Sequence, residues 1–487
     1  MTLRTWLRPR PAHTTAPRPR TRLGVQHLEA REVPATGLLS AFSLGDAVGS
    51  VNAQDVAADA AGNSYLTGSF TGTVDFDPTD AADAADTLTA RGADGVADAF
   101  VAKYAADNAL VWVRRMGGDT HDRADQVAVD AAGNVYVCGD FTGAGDFGPT
   151  ALGSAGGSDG FVVKLNAAGV VQLAKRWGGV HNDTGVGVGT DAAGSVYALG
   201  TRNTGSSSSA GNGYDILKFA TRDRDSWAKS IPTQKNPFSG GGFAVDAAGN
   251  TFVGGVFLGL VDFDPGSGSK LLSAGTTSYS GFVLKLTAAG NYGWVSGFSG
   301  GGSYVSHLAV DGAGGVVLNG YCGAGVTFRP YAGGPATAMP VGQNVVTKLN
   351  AAGGLVWTRG SAGDTSTSDL AVDAAGNIYL TGSFSGTVDF DPGVGAFVRS
   401  TAAGISQYST DVYVMKLTAA GDFAWAGTFG GTGMDWGTGV AVDPTGTVYL
   451  AGYFAGTVDF DPDPLGTFDL TNPGTKRNSF LVKLAQS

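Results

Sequence analysis

The chain has 487 residues, 79 of them glycine, with charged residues at 15% and hydrophobic residues at 43%. Glycine is about double and charge well below the usual share, which suits many short strands joined by tight turns and does not fit a disordered chain. Of the 31 basic and 42 acidic residues, seven and two lie in the first 37, so the remainder holds 24 basic against 40 acidic residues, a balance that argues against nucleic acid or anionic membrane as its partner.

Residues 1–37 read as a disordered basic leader, because Arg4, Arg8, Arg10, Arg18, Arg20 and Arg22 alternate with Pro9, Pro11, Pro17 and Pro19 and offer little apolar surface to bury. Beyond it every acid is an aspartate, the carboxylate of turns, which points to a loop-rich body almost without helix. Cys138 and Cys322 fall in units three apart and are expected to be unpaired. No stretch of 18 apolar residues occurs, so no membrane-spanning helix is expected.

From residue 38 a repeat takes over. Its turn aspartate recurs as Asp59, Asp130, Asp191, Asp246, Asp311, Asp373 and Asp443, a mean spacing of 64 residues. Each copy offers four strand-like pieces. The first is a short apolar run ending in the aspartate, such as Val127-Ala-Val-Asp130, and an Asp-x-x-Gly-Asn turn follows. The second alternates, as in Ile378-Tyr-Leu-Thr-Gly-Ser-Phe384, with the period of two that marks a strand. A variable loop leads to the third, which carries one lysine in each copy: Lys103, Lys164, Lys218, Lys285, Lys348, Lys416 and Lys483. Such a slot is expected to face solvent as an edge guard. The fourth carries Trp112, Trp227, Trp294, Trp357 or Trp425 in most copies, after an Ala-Ala-Gly turn.

Four antiparallel strands repeated seven times predict an all-β fold: a seven-bladed β-propeller occupying residues 38–487. The seventh copy ends just after its third strand, and Leu38–Gly45 has the character of the missing one. The last blade is therefore expected to be completed by this N-terminal strand.

Val-Asp-Ala-Ala-Gly-Asn-x-Tyr, Gly-Ser-Phe-x-Gly-Thr-Val-Asp-Phe-Asp-Pro and Phe-Val-x-Lys-Leu together resemble the bacterial β-propeller repeat family called SBBP. Leu28-Glu-Ala-Arg-Glu-Val-Pro-Ala35 resembles the leader of bacterial secreted or surface repeat proteins. The resemblance implies a propeller and an extracellular or cell-surface location, and brings no catalytic residues. The segment around each tryptophan also looks like the docking motif that locks the blades of quinoprotein propellers, a structural likeness only.

Two sets of aspartates fall on one face of such a propeller. Asp-Phe-Asp-Pro gives Asp75 and Asp77, Asp262 and Asp264, Asp389 and Asp391, and Asp459 and Asp461. With the phenylalanine turned toward the core, the paired carboxylates suit a calcium ion or a turn. Copies six, seven and one are neighbours in a closed ring, so Asp75, Asp77, Asp389, Asp391, Asp459 and Asp461 form the candidate metal set. Asp122, Asp183 and Asp435 each stand eight residues before a turn aspartate, the first two near His121 and His181, and are the candidate ligand-binding set.

The functional expectation is a non-catalytic binding or structural scaffold, a monomer, whose loops meet a protein or carbohydrate partner, with calcium or no cofactor. The alternative is a metal-dependent hydrolase or lyase at the mouth of the central channel. Three or more converging polar side chains there would favour catalysis, whereas an apolar or glycine-lined mouth would favour the scaffold.

Overall fold

The computed structural model describes residues 37–45, 49–77, 86–205, 212–220, 226–233, 241–275, 278–330, 335–401, 409–463, 466–472 and 477–486. The expected leader, residues 1–37, lies outside them but for its last residue. Every regular element among the described residues is a strand.

The strands form seven four-stranded antiparallel blades of a β-propeller. In the first blade Ser50–Ala58 is innermost, followed outward by Ser64–Thr71, Ala97–Tyr104 and Leu110–Gly118. The innermost strands of the next six are Asp122–Val129, Thr184–Thr190, Phe243–Val245, Ser303–Val310, Ala362–Val372 and Trp436–Val442. The seventh blade closes as expected: Gly37–Leu44 pairs antiparallel with Asn478–Ala485, matching Ala41 with Val482 and Leu44 with Ser479. Phe42 and Leu44 then join Val51, Val56 and Tyr104 of the first blade in one apolar cluster.

The turn aspartate explains why each inner hairpin forms. Asp373 accepts the amides of Ala375 and Asn377 on one oxygen, and the Asn377 amide group and Tyr379 hydroxyl on the other, at 2.8 to 3.0 Å. Burial alone would raise its pKa, but these hydrogen bonds outweigh it and hold the carboxyl below its usual range.

The lysine slot differs from the expected edge guard. Strand register sets Lys416 opposite Tyr379 and Lys103 opposite Tyr65, and six of the seven ammonium groups lie 5.0 to 5.6 Å above an aromatic ring of the second strand. The seventh, Lys348, reaches Asp311 at 3.1 Å. The aliphatic stems cover ring surface while the charge finds the ring face, the turn carboxylate or the next blade, so the slot is part of the packing.

Tryptophans link neighbouring blades. Trp112, Trp227, Trp294 and Trp357 donate from Nε1 to the carbonyls of Ala167, Ala288, Ala351 and Ala419 in the following blade, at 3.0 to 3.2 Å. The turn beneath each ring needs glycine: Gly353 has φ +79°, and a Cβ there would stand 2.8 Å from the Trp294 ring. At the closing seam Ser40, opposite Lys483, occupies the tryptophan position. Lys483 takes over the bond, donating to the Ala105 and Ala106 carbonyls at 3.0 Å.

Candidate functional site

The hairpins between second and third strands sit at the rim and lean on the preceding blade. Ala144–Phe147 pairs with Gly117 and Gly118, and Thr327–Arg329 with Gly297 to Ser299. In Asp-Phe-Asp-Pro the phenylalanine is the inward residue, as alternation predicts: Phe76, Phe263, Phe390 and Phe460 are all buried. The first aspartate caps its own turn. Asp389 accepts the amides of Asp391 and Phe397 at 3.1 and 2.8 Å, and Asp459 those of Asp461 and Phe468 at 3.0 and 2.8 Å. Asp75 likewise accepts from Asp77 at 3.0 Å, and Asp77 from Leu110 at 3.4 Å. Asp391 and Asp461 each accept one further amide, from Gly393 and Asp463. Among the described residues no group of three or more His, Cys, Asp or Glu side chains gathers as a metal set.

The second aspartate set is buried. Asp122 accepts the amides of Gly118 and Thr142, Asp183 those of Gly179 and Asn203, and Asp435 those of Gly431 and Ala455, all between 2.7 and 3.2 Å. Each carboxylate ties the loop entering its blade to the loop leaving the second strand, and burial pushes Asp122 up to about 7. The three stand in different blades and do not converge. His121 is exposed, its Nδ1 accepting the Ala97 amide at 3.3 Å.

The groups that do converge lie on the innermost strands. Six of these strands carry a register shift at the same place, between Ala53 and Asp55, Ala124 and Gln126, Gly185 and Gly187, Val305 and His307, Thr367 and Asp369, and Gly437 and Gly439. A bulge inserts one residue and re-aims its side chain. Here it turns the polar doublets Gln54-Asp55, Asp125-Gln126, Ser306-His307 and Ser368-Asp369 into the central channel, around a cavity of about 380 Å³. Asn52, Arg123, Trp436, Tyr453 and Arg477 also line it.

Part of this polarity holds the ring together. Asp55 accepts the Val127 amide of the second blade at 2.9 Å, Gln126 that of Val188 in the third at 3.3 Å, and Asp369 that of Val440 in the seventh at 2.8 Å. Thr438 donates to the Ala53 carbonyl at 3.1 Å across the closing seam. Burial and the neighbouring Asp369 push the Asp55 carboxyl well above its usual range, against the pull of two amides. Burial takes Asp369 to about 6. Burial likewise takes Asp125 to about 7, although Arg123 pairs with it at 2.7 Å and with Asp140 at 3.3 Å. His307, the one imidazole lining the cavity, is lowered by burial to about 4 and is neutral at physiological pH, with no hydrogen-bond partner at Nδ1.

The mouth is therefore polar, with more than three converging polar side chains, the outcome expected to favour catalysis, although several of these groups also join blade to blade. Sequence reasoning passed over them by treating the first strand as an apolar run. The available signal was a polar doublet interrupting that run at the same offset in four copies, a pattern no regular strand buried on both faces would show.

No family model and no curated protein sequence matches the chain. Among solved structures it is similar to the β-propeller domain of Cps50 (Swd1) from Myceliophteria thermophila, at 8% identity and TM-score 0.42, covering 92% of this chain and 100% of that one. A puromycin hydrolase mutant complexed with PGG aligns at 10% identity and TM-score 0.39, over 88% of this chain but 54% of its own length. A member of the DUF4221 family from Bacteroides vulgatus aligns at 10% identity and TM-score 0.35, over 94% of this chain and 100% of that one. At these identities the likeness is one of fold alone.

Proposed function

We propose that the chain is a non-catalytic binding propeller of the SBBP repeat type, exported or displayed on a bacterial surface, that receives its ligand at the mouth of the central channel. One observation carries this reading. Turn aspartates, lysines and docking tryptophans recur from blade to blade, whereas the residues seven positions before the turn aspartate vary, as Asn52, Arg123, Thr184, Ser239, Tyr304, Ser366 and Trp436, with only serine used twice, and Asn52, Arg123, Thr184 and Trp436 among them line the cavity. Repetition serves the ring; individuality at its mouth serves recognition. The rim hairpins frame this face, with Asp389 and Asp459 closing their turns onto backbone amides.

A hydrolase or lyase working in the channel is the second reading, and His307 beside Ser306 is the observation in its favour. The two readings separate by assaying the full chain on chromogenic esters and lactones with and without added divalent metal, next to thermal-shift screening against small polar molecules. Ligand-induced stabilisation that Asn52→Ala weakens, without turnover, supports binding. Turnover abolished by His307→Ala supports the enzyme.

A further inference from the structure

We infer that the ligand of the channel mouth is a neutral, hydroxyl-rich molecule, a saccharide, seated against Trp436 and Tyr453 and hydrogen-bonded by the planar side chains beside them. The inference rests on the mouth being the recognition site and adds the class of ligand. A cavity of about 380 Å³ falls in the range that holds small ligands, about 300 to 1,000 Å³.

The donors and acceptors around it are mixed. Asp55, Asp125 and Asp369 present carboxyl oxygens, Arg123 and Arg477 present only donors, and Asn52, Gln54 and Gln126 offer both. A hydroxyl also donates and accepts, so neighbouring hydroxyls on one ring can pair with such a set in several directions. Other classes fit less well. A phosphate-like anion meets guanidinium groups already engaged, Arg123 with Asp125 and Asp140 and Arg477 over Tyr453, an ammonium meets the same two guanidinium groups, and a hydrocarbon would leave this polar lining without partners.

Aromatic surface is present and fixed. Trp436 donates from Nε1 to Ser368 Oγ at 2.7 Å, which sets the plane of the indole. Tyr453 stands directly across from it in the neighbouring strand, with the Arg477 guanidinium 4.5 Å above the phenol ring. Rigid rings of this kind supply apolar contact for the C–H faces of a sugar at little conformational cost. The seventh, first and second blades are consecutive, so the aromatic pair, the Asn52 and Gln54 amides and the Arg123 and Asp125 fork make one continuous arc.

The test titrates the full chain with three panels, neutral mono- and disaccharides, inorganic phosphate with simple carboxylates, and small ammonium compounds, following melting temperature and tryptophan fluorescence. The variants are Asn52→Ala and Arg477→Ala, both at exposed positions, with Trp436→Ala as a third. Unliganded melting curves verify that each variant folds. Expected is stabilisation by a neutral saccharide and at least a roughly tenfold weaker Kd in Asn52→Ala and Arg477→Ala. A response to phosphate or ammonium compounds alone, lost in those variants, overturns the saccharide and leaves the mouth as the binding site. A saccharide response unchanged in the variants overturns both. No response to any panel overturns the saccharide, and the mouth is then judged by the ester and lactone assay.

Discussion

Replacing Trp294 tests how the blades are held. The side chain is 5% exposed, its Nε1 bonds the Ala351 carbonyl at 3.0 Å, and its ring meets Phe252 near edge-to-face at 6.2 Å. Trp294→Ala removes the ring contacts and opens a cavity, at a cost of about 3 to 5 kcal/mol. Trp294→Phe keeps most of the ring but loses the N–H. Ala351 is exposed, so water can reach its carbonyl and the lost bond costs about 1 kcal/mol; the smaller ring adds a comparable amount. The alanine variant is therefore expected to lose about twice as much stability as the phenylalanine variant. Equilibrium urea unfolding read by far-UV circular dichroism, at constant m-value, makes the comparison. Equal losses, or an alanine variant within about 0.5 kcal/mol of the parent chain, would refute tryptophan docking as a principal tie between blades.

Stability should fall as pH rises from about 5 to 8, because Asp55, Asp122, Asp125 and Asp369 have pKa values raised by burial and the folded state holds more protons across that window than the unfolded chain. His307, lowered by burial to about 4, and Lys483, lowered by burial to about 8, act in the opposite sense but are two groups against four, the lysine only at the top of the window. Melting temperatures across the window check this, and a steady rise with pH would contradict it. At the seam, Ser40→Trp combined with Asn108→Gly should supply the missing docking ring above a turn whose Asn108 already sits at φ +74°. The expected gain is about 1 to 2 kcal/mol in urea unfolding, and a loss would show that Lys483 already completes that joint. Millimolar calcium should leave the melting temperature unchanged, because the Asp389 and Asp459 hairpins are closed by their own amides; a rise abolished by Asp391→Asn would show that the acidic hairpins bind the ion.

The fold was legible because its determinants are local and repeated. A carboxylate closing a turn onto amides two and four residues ahead, and an apolar strand of period two, can be read from a single stretch such as Ala371 to Phe384. Even the closing strand followed from counting one strand too few at one end of the repeats. The lysine slot was misjudged because its partner, a tyrosine or phenylalanine of the neighbouring strand, becomes visible only once register is fixed. The candidate site was obscured for a related reason. Asp-Phe-Asp-Pro and Asp122, Asp183 and Asp435 stood out through recurrence, and recurrence marks what every blade needs in order to fold. The mouth residues differ from copy to copy and depend on bulges whose hydrogen bonds cross between blades, as from Val127 to Asp55 or Val440 to Asp369.

Hydrogen exchange of the full chain, with and without the ligand that gives the largest thermal shift, tests the central claim that recognition occurs at the channel mouth. The account predicts slowed exchange in segments holding Asn52 to Val56, Arg123 to Val127 and Trp436 to Val440, with the rim hairpin from Thr387 to Ser400 unchanged. Protection confined to that hairpin and its counterparts, with the inner strands unchanged, would contradict it.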